Sequence, residues 1–339
     1  MDAVDALNEI AFWLERELAP TFKVQAFRKA AGIIGGLSPE ELAERARDGR
    51  LKNMKGIGDR TFEVIRQAVS GEAPEYLEKL RLRGAKPLAP GGAELAAALR
   101  GDLHSHSDWS DGGSPIELMA DSARMLGREY LAQTDHSPSL KIANGLSAER
   151  LRAQLEEIEQ INHHDGGFRL LAGIEVDILE NGALDQSPEM LDRLDVVVAS
   201  VHSKLRSDSR TMTRRMLKGI SDPHTNVLGH CTGRLLQGSR GTRPPSEFDA
   251  ARVFAACAEN SVAVEINSRP ERQDPPDDLL RLALGAGCLF SIDSDAHAPG
   301  QLDFLQYGAE RAALNGVPAE RIVTTWPLER LLDWLGKGP

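Results

Sequence analysis

Histidine and acidic residues recur in short motifs across residues 101–297, most of them directly after a short apolar run. His104 and His106 stand two residues apart, so both imidazoles would lie on one face of an extended strand and could reach one ion. The candidate metal ligands are His104, His106, Asp111, His136, Glu175, His202, His230, Asp295 and His297. One ion takes about four to six such ligands, so the set predicts two or three divalent ions. The lack of cysteine ligands favours Zn²⁺, Mn²⁺ or Fe²⁺.

A lone histidine after a strand is most often a hydrogen-bonded surface or core residue. That interpretation fits poorly when so many candidate ligands follow apolar runs. The carboxyl ends of parallel barrel strands gather on one rim, where active sites are built. Asp135, next to His136, is expected to orient a ligating imidazole through a hydrogen bond.

The elements that must position these groups alternate between short apolar runs and amphipathic stretches. Strands are predicted at 130–132, 170–175, 196–200, 227–228, 262–266 and 289–292. Helices are predicted at 115–126, 148–161, 247–259 and 277–286. Repeated βα units of this kind indicate a parallel sheet, and about seven of them favour a closed barrel.

Three segments are predicted along the chain: a small all-α domain at 1–82, a linker at 83–98 and the α/β barrel at 99–339. In the first segment, apolar residues recur at helical spacing. Ser38 is expected to cap a helix that begins at Pro39. The linker is predicted because its first part, 83–91, is rich in Gly, Pro and Ala and has no periodicity.

Composition restricts the class of protein. The formal net charge is -11, and residues 91–339 carry 25 Lys and Arg against 37 Asp and Glu. A net acidic barrel disfavours nonspecific nucleic-acid binding through its surface. The three cysteines lack the CxxC spacing of a metal or redox site. No apolar run reaches the roughly 18 residues of a membrane span, and the start of the chain is not a secretory signal. We therefore expect a cytoplasmic protein without a membrane partner.

The motifs resemble the PHP (polymerase and histidinol phosphatase) family, and most closely the PHP domain of bacterial family X DNA polymerases. The matching stretches are DLHSHSDWSDG (102–112), TDHS (134–137), GIEVDIL (173–179), ASVHS (199–203), GHCTGR (229–234) and SDAH (294–297). TDHSPSL, VLGHCTGRLL, VEINSRPER and QLDFLQYG are similar to the polymerase subgroup. The resemblance runs over about residues 99–315 and keeps the same order of motifs throughout.

The resemblance implies a distorted (β/α)7 TIM-like barrel, a metal-dependent phosphoesterase and a trinuclear site. One ion would be held by His104, His106, Glu175 and Asp295. Glu175 would bridge to a second ion held with His202 and His230. The third ion would be held by Asp111, His136 and His297. A metal-activated hydroxide is then expected to attack phosphorus. The candidates to hold the other phosphoryl oxygens are Arg234, Arg269 and Lys204.

Residues 1–82 resemble the N-terminal helix-hairpin-helix domain of the same polymerases. FKVQAFRKAAGII (22–34) and the GIG turn at 56–58 carry this resemblance. In such a hairpin, the backbone N–H groups of the turn can approach a phosphate. The expected DNA-contacting residues are Lys52, Lys55, Gly56, Gly58 and Arg60. The implied partner is DNA with a 3′ end, or gapped or nicked duplex, with a separate DNA polymerase or repair protein as a further candidate.

Two differences from the family X polymerases exclude activities that some of those enzymes have. The polymerase body is missing between the two segments, so templated synthesis is not expected. Val64 stands where some family members carry a lyase lysine, which excludes Schiff-base chemistry there. The expected function is a 3′–5′ exonuclease or a 3′-phosphatase or phosphodiesterase acting on DNA ends. The alternatives are a small-molecule phosphatase of the histidinol-phosphate type and a non-catalytic DNA-binding scaffold.

Overall fold

The computed structural model describes residues 1–163, 167–238 and 241–336. The chain forms two compact units, Met1–Pro87 and Leu88–Pro339. The boundary falls inside the predicted linker, but that linker is not unstructured throughout. Residues Ala93–Ala98 form a helix, and the N–H of Gly91 donates to Glu310 in the second unit at 3.0 Å. The connection is therefore shorter than 83–98.

The N-terminal unit is helical, as the apolar spacing predicts. Its helices are α1 (Ala3–Arg16), α2 (Thr21–Gly35), α3 (Pro39–Arg47), α4 (Asp59–Val69) and α5 (Glu75–Gly84), with a 3₁₀ turn at Arg50–Asn53. Ser38 caps α3, since its Oγ accepts a hydrogen bond from the N–H of Glu41 at 3.2 Å. Leu7 and Ile10 of α1 are fully buried in the core of this unit, together with Ile65 of α4 and Leu77 of α5.

The second unit is built on seven parallel strands whose order in the sheet is their order in the chain. The strands are β1 (Gly101–Ser105), β2 (Tyr130–Gln133), β3 (Arg169–Asp177), β4 (Val196–Ser200), β5 (Val227–Leu228), β6 (Ala263–Asn267) and β7 (Phe290–Asp293). The predicted bounds of β4 and β5 are confirmed. Strand β3 is longer than predicted and reaches Asp177, so Glu175 lies inside the strand rather than at its end.

Helices connect the strands and cover the sheet. They are α6 (Ala93–Ala98), α7 (Ile116–Met125), α8 (Ala148–His163), α9 (Pro188–Leu191), α10 (Ser209–Ile220), α11 (Ala250–Glu259), α12 (Asp277–Gly285), α13 (Leu305–Leu314) and α14 (Leu328–Trp334). Short 3₁₀ turns lie at Lys141–Ala143, Pro299–Phe304, Ala319–Arg321 and Val323–Thr325. Helix α11 begins later than predicted because Asp249 caps it, accepting from the N–H of Arg252 at 3.2 Å.

Side chains close the barrel between β1 and β7, where no backbone ladder forms along the strands. The Asp293 carboxylate accepts from the N–H of Leu103 at 2.9 Å, and the Asp102 carboxylate accepts from the N–H of Ser294 at 3.2 Å. Beyond the strand ends, the N–H of His106 donates to the carbonyl of Ala296 at 2.8 Å. The result is the distorted, nearly closed (β/α)7 barrel that the sequence predicts. Across the described ranges, no helix is long and apolar enough to cross a membrane.

Candidate metal centre

The nine predicted metal ligands converge at the rim where the strands end. Every strand except β6 contributes at least one of them, either from its last residues or from the loop that follows. Most of their side chains are buried. His104, His106 and Glu175 are between 0% and 1% exposed, which excludes the interpretation that they are ordinary surface residues.

Glu175 is at the centre of this cluster. Its Oε2 atom lies 3.3 Å from Nε2 of His104, 3.6 Å from Nε2 of His106 and 2.8 Å from Nδ1 of His136. Its Oε1 atom lies 3.1 Å from Nε2 of His202 and 2.8 Å from Nε2 of His230. One carboxylate thus faces five imidazoles, an arrangement suited to bridging two cations.

The remaining ligands lie on the side of His106 and His136. Asp111 Oδ1 is 3.4 Å from Nε2 of His136 and 3.3 Å from Nε2 of His297. Asp295 Oδ1 is 3.5 Å from Nε2 of His106. The backbone of Asp295 is left-handed, with φ of 51°, which orients the loop between this residue and His297. All nine side chains are therefore connected through short contacts.

Several buried polar atoms in the cluster lie close to one another without making a hydrogen bond, and this is the observation that tests whether cations fit. Among the described residues, such atoms include Nε2 of His104, both ring nitrogens of His106 and His202, Nδ1 of His136 and of His230, and Oε1 of Glu175. Each buried polar group left unpaired costs about 1–3 kcal/mol, so a fold that gathers this many requires a compensating ligand. Imidazole and carboxylate donors are suited to divalent first-row metals. The residues therefore fit such ions.

Three overlapping groups in the described residues have the spacing to hold an ion. They are His106, Asp111, His136 and His297; His104, His106 and Glu175; and His136, Glu175 and His202. The first contains the whole set proposed for the third ion, and the second contains three of the four residues proposed for the first. His230 and Asp295 belong to none of these groups, although both contact the cluster. The assignment of each ligand to one ion stays a prediction.

Strand β6 supplies a supporting layer that the sequence analysis did not identify. Glu265 is fully buried, and its Oε1 lies 2.6 Å from Nδ1 of His104. The carboxylate accepts a hydrogen bond from Nδ1–H, so Nε2 of His104 is left facing Glu175. Asn267 donates to Asp295 at 3.0 Å and to Glu265 at 3.3 Å. A glutamate inside the apolar run 262–266 was the available signal, because a buried charge needs a partner.

Two further charged residues were missed. Arg272 places Nε 3.0 Å from Oδ2 of Asp295. Asp177, at the end of β3, accepts from the backbone N–H of His202 at 2.9 Å. Both contacts fix a ligand or its loop. Neither residue stands out in the sequence, because each lies in a loop or at a strand end, where a solvated charge is common.

The pKa values of the cluster reflect competition between burial and neighbouring charge. Burial alone would raise the pKa of Glu175, but the facing imidazoles hold it well below its usual range. Burial would lower the pKa of His136, yet Glu175 and Asp111 raise it to about 10. For His106, burial and the neighbouring imidazoles both act to lower the pKa. Divalent ions would replace the protons that otherwise balance the carboxylates.

Asp135 does not orient an imidazole, contrary to the prediction. Its carboxylate accepts from the N–H of Ser107 at 2.9 Å, from Nε2 of Gln133 at 2.8 Å and from Nε2 of Gln154 at 2.6 Å. The hydroxyls of Ser107 and Ser110 also donate to it. Asp135 therefore fixes the loop between His106 and Asp111 rather than the ring of His136.

The three predicted phosphate-holding cations occupy different environments. Arg269 contacts the cluster, with one guanidinium nitrogen 2.9 Å from Nδ1 of His297, and it also pairs with Glu271 at 2.7 Å. Arg234 donates to the backbone carbonyls of Arg272 and Gln273, which occupies its guanidinium. Lys204 is exposed in the loop that follows His202. None of the three is assigned a role by these contacts alone.

In the N-terminal unit, the GIG turn leads into helix α4. Gly56 has a φ of 109°, and a Cβ there would lie 2.7 Å from Ile33, so the turn requires glycine. Gly58 caps α4, and its N–H donates to the hydroxyl of Thr61 at 2.9 Å. Of the flanking cations, Lys55 is exposed and Arg60 stacks over the Tyr76 ring at 5.0 Å. Lys52 lies 3.3 Å from Asp59.

A nearly closed parallel barrel with imidazoles and carboxylates gathered at its carboxyl rim is the kind of site that a metal-dependent hydrolase needs. The PHP domain model matches residues 102–269, and a helix-hairpin-helix domain model matches residues 1–72. The chain contains a PHP domain and is by class a metal-dependent phosphoesterase. It carries its PHP domain behind an N-terminal helix-hairpin-helix domain.

Curated relatives fall into two kinds. The DNA polymerase/3′-5′ exonuclease PolX of Bacillus subtilis is 37% identical over 231 residues, which are 68% of this chain and 40% of that protein. The chain thus spans well under half of that relative. A probable phosphatase of Syntrophotalea carbinolica is 26% identical over 69% of this chain and 95% of its own length. The probable phosphatase YcdX of Escherichia coli is 26% identical over 69% of this chain and 93% of its own.

Among solved structures, one similar chain is a histidinol phosphate phosphatase from Lactococcus lactis. It is 18% identical, with a TM-score of 0.46, over 64% of this chain and 93% of that one. A likeness of this size supports no functional conclusion.

Proposed function

We propose that this chain hydrolyses phosphate esters at DNA ends, as a 3′–5′ exonuclease or a 3′-phosphatase or phosphodiesterase. The observation that carries the proposal is the pairing, in one chain, of the nine-residue cluster with a helix-hairpin-helix domain. The 37% identity to a protein named as a polymerase and 3′-5′ exonuclease supports it. Because the chain spans 40% of that relative, its activity does not transfer without a test.

The chain's own residues would hold two or three Zn²⁺, Mn²⁺ or Fe²⁺ ions. When bound, such ions lower the pKa of coordinated water and neutralise charge on the phosphoryl oxygens. Glu175 would bridge neighbouring ions, and the six clustered histidines would complete the ligand sets together with Asp111 and Asp295. Glu265 holds His104 with its Nε2 atom facing inward, and Asn267 holds Asp295, so these ligands are preorganised.

Cations near the cluster would position the substrate. Lys204 is exposed two residues after His202, so its ammonium group is available to a phosphoryl oxygen. Arg269 lies against His297 and Asp295, where it would both orient these ligands and face an incoming anion. Arg234 would act indirectly, because its guanidinium holds the backbone of residues 272 and 273.

The hairpin would contribute backbone contacts to DNA phosphates. The first N–H groups of α4 have no intrahelical partner, and they follow the Gly56–Gly58 turn directly. Lys52, Lys55 and Arg60 are exposed around this turn and would add sequence-independent charge. A separate DNA polymerase or repair protein remains a proposed partner, because no polymerase segment follows residue 72 before the barrel.

A direct assay separates the functions. Purified protein with Mn²⁺ would be incubated with 5′-labelled duplex DNA bearing a recessed 3′ end, with the same duplex ending in a 3′-phosphate, and with histidinol phosphate. The variant is His104→Ala with His106→Ala, and the matched control is His163→Ala with His224→Ala, two histidines outside the cluster. Shortening or 3′-dephosphorylation of DNA by wild type and control, but not by the variant, supports the proposal.

The second candidate is a small-molecule phosphatase. The similarity to the probable phosphatases favours it, because the match covers 93–95% of the length of those proteins. Phosphate release from histidinol phosphate, with DNA left intact, would establish this function and overturn the first. DNA binding without hydrolysis of either substrate would instead indicate a non-catalytic scaffold.

A further inference from the structure

A basic groove runs along the outside of an otherwise acidic barrel. It has a volume of about 1040 Å³ and lies between α10 and the start of α11. Arg210, Arg214 and Lys218 line it from α10, and Arg252 lines it from α11. Residues 91–339 carry 12 more acidic than basic side chains, so four cations in one groove are a local reversal of charge.

The cations of α10 form a continuous row. Arg210, Arg214 and Lys218 are spaced four residues apart, which places them on one face of the helix, and all three are exposed. At a rise of 1.5 Å per residue, the row spans about 12 Å. One strand of duplex DNA places a phosphate about every 3.4 Å along its axis, so the row matches roughly three to four phosphates.

Few carboxylates oppose this row. Asp208 directly precedes α10, and Asp249 lines the groove. Each carboxylate accepts a hydrogen bond from a backbone N–H at the start of a helix. In the part of the chain that the structure describes, no salt bridge engages Arg210, Arg214 or Arg252, and Lys218 donates to the carbonyl of Asn181 at 3.1 Å. Ser209, Thr211 and Ser221 add hydroxyl groups to the lining. Cations and hydroxyls together are typical of phosphate-backbone contacts.

The helix that lines the groove begins seven residues after His202 of the metal cluster, at Ser209. Strand β4 leads to His202, and the loop that follows carries the exposed Lys204 and Arg206 before α10 begins at Ser209. Arg206 lies outside α10 and adds one more exposed cation between His202 and Arg210 in the chain. Helix α11 is held beside α10 by a hydrogen bond from the N–H of Asp249 to Thr213 at 2.8 Å.

We infer that this groove binds the phosphate backbone of the DNA strand whose end enters the metal centre. The inference rests on the proposed action on DNA, and it names a contact surface on the barrel that is independent of the helix-hairpin-helix domain. It accounts for a basic groove on a barrel whose overall charge repels nucleic acid.

The test compares two variants that change the net charge by the same amount. Arg210→Glu with Arg214→Glu alters the groove. Arg193→Glu with Arg330→Glu alters exposed residues near the amino ends of the strands, away from the rim. Binding of a labelled 30-bp duplex is measured by fluorescence anisotropy in EDTA over a range of salt concentrations. Hydrolysis of bis(p-nitrophenyl) phosphate with Mn²⁺ reports the metal centre.

We expect the groove variant to bind DNA about tenfold or more weakly at low salt, with the salt slope reduced by about two, since two phosphate contacts are lost. The control variant and the small-ester activity should stay within about twofold of wild type. Equal DNA affinity in the groove variant, or an equal loss in both variants, would overturn the inference. So would loss of binding to anionic vesicles or to an acidic protein while DNA affinity stays unchanged.

The outcome is distinguishable from failure of the proposed function. If wild type binds duplex through the groove but never shortens or dephosphorylates it, the inference about the groove is supported and the proposed DNA-end activity is contradicted. If wild type processes DNA ends and the groove variant does so with an unchanged KM, the inference about the groove is contradicted and the proposed activity is supported.

Discussion

Nδ1 of His104 lies 2.6 Å from Oε1 of Glu265, and both side chains are fully buried. The contact joins β1 to β6 across the barrel interior and leaves Nε2 of His104 facing Glu175 at 3.3 Å. A carboxylate that fixes one ring nitrogen sets both the tautomer and the direction of the other. The metal centre is therefore arranged from within the barrel, by the strand that contributes no predicted ligand.

Glu265→Gln is expected to weaken metal binding without unfolding the barrel. The amide keeps the shape of the side chain but loses the negative charge that holds the Nδ1 proton, and such a loss typically costs about 10–100-fold in metal affinity. Competition titration with a Zn²⁺ chelator measures the change. Glu149→Gln, on the exposed face of α8, is the matched control. Equal affinities in both variants would show that Glu265 does not support the site.

Removal of metal should destabilise the protein. The cluster leaves buried imidazole nitrogens and a carboxylate oxygen unpaired when no cation satisfies them, and a ligand that binds only the folded state adds stability. Dialysis against EDTA should lower the midpoint of thermal unfolding by several degrees, and Mn²⁺ or Zn²⁺ should restore it. The His104→Ala, His106→Ala variant should not respond. A response as large as that of wild type would place the stabilising ion elsewhere.

Asp135→Asn should destabilise the loop that carries Asp111. The carboxylate accepts from Ser107, Gln133 and Gln154, and an asparagine would direct an N–H group at one of these donors. A buried donor left without an acceptor costs about 1–3 kcal/mol, so urea unfolding should show a loss of that size. Asp121→Asn removes an exposed pair with Arg124 and should cost under about 1 kcal/mol. Similar losses in the two variants would contradict the role of Asp135.

The N-terminal unit should weaken in acid through Glu9. Burial alone would raise the pKa of Glu9, but the hydrogen bonds from Arg81 and Trp13 lower it below its ordinary value of 4.5. A lowered pKa in the folded state means that the carboxylate stabilises the fold at neutral pH and that this stability is lost as the pH falls below about 4.5.

Hydrogen exchange of the α1 amides in the intact chain, followed by mass spectrometry, measures that contribution. At pH 7, Glu9→Gln should exchange faster than wild type, and the difference should shrink as the pH is lowered toward 3. Glu63→Gln, an exposed partner of Arg66, is the matched control and should change α1 little. A difference between Glu9→Gln and wild type that persists unchanged in acid would show that the charge on Glu9 is not responsible.

Much of this structure follows from the sequence because the signals are local. The apolar runs that precede His202 and His230 gave the bounds of β4 and β5, and the rule that parallel strand ends share a rim predicted that the nine candidate ligands lie together. The start of α3, with Ser38 as its cap and Pro39 as its first residue, was equally predictable from the sequence.

The supporting contacts could not be predicted in the same way. Glu265 and Arg272 reach residues far along the chain, so their roles depend on how the barrel closes rather than on spacing. Asp135 stands beside a ligand in sequence, but its carboxylate faces the loop at Ser107 instead. Helix α6 lies in a stretch whose first part is rich in glycine and proline, and its contact with α13 is a tertiary feature that propensity does not encode.

The most direct test of the account is diffraction from crystals of the intact chain soaked in Mn²⁺, with data collected at the manganese absorption edge. Two or three anomalous peaks should appear within the cluster, each within coordination distance of several of the nine ligands and with Glu175 between neighbouring peaks. If no peak appears among these side chains, or if the side chains lie apart from one another, the assignment as a metal-dependent phosphoesterase is contradicted.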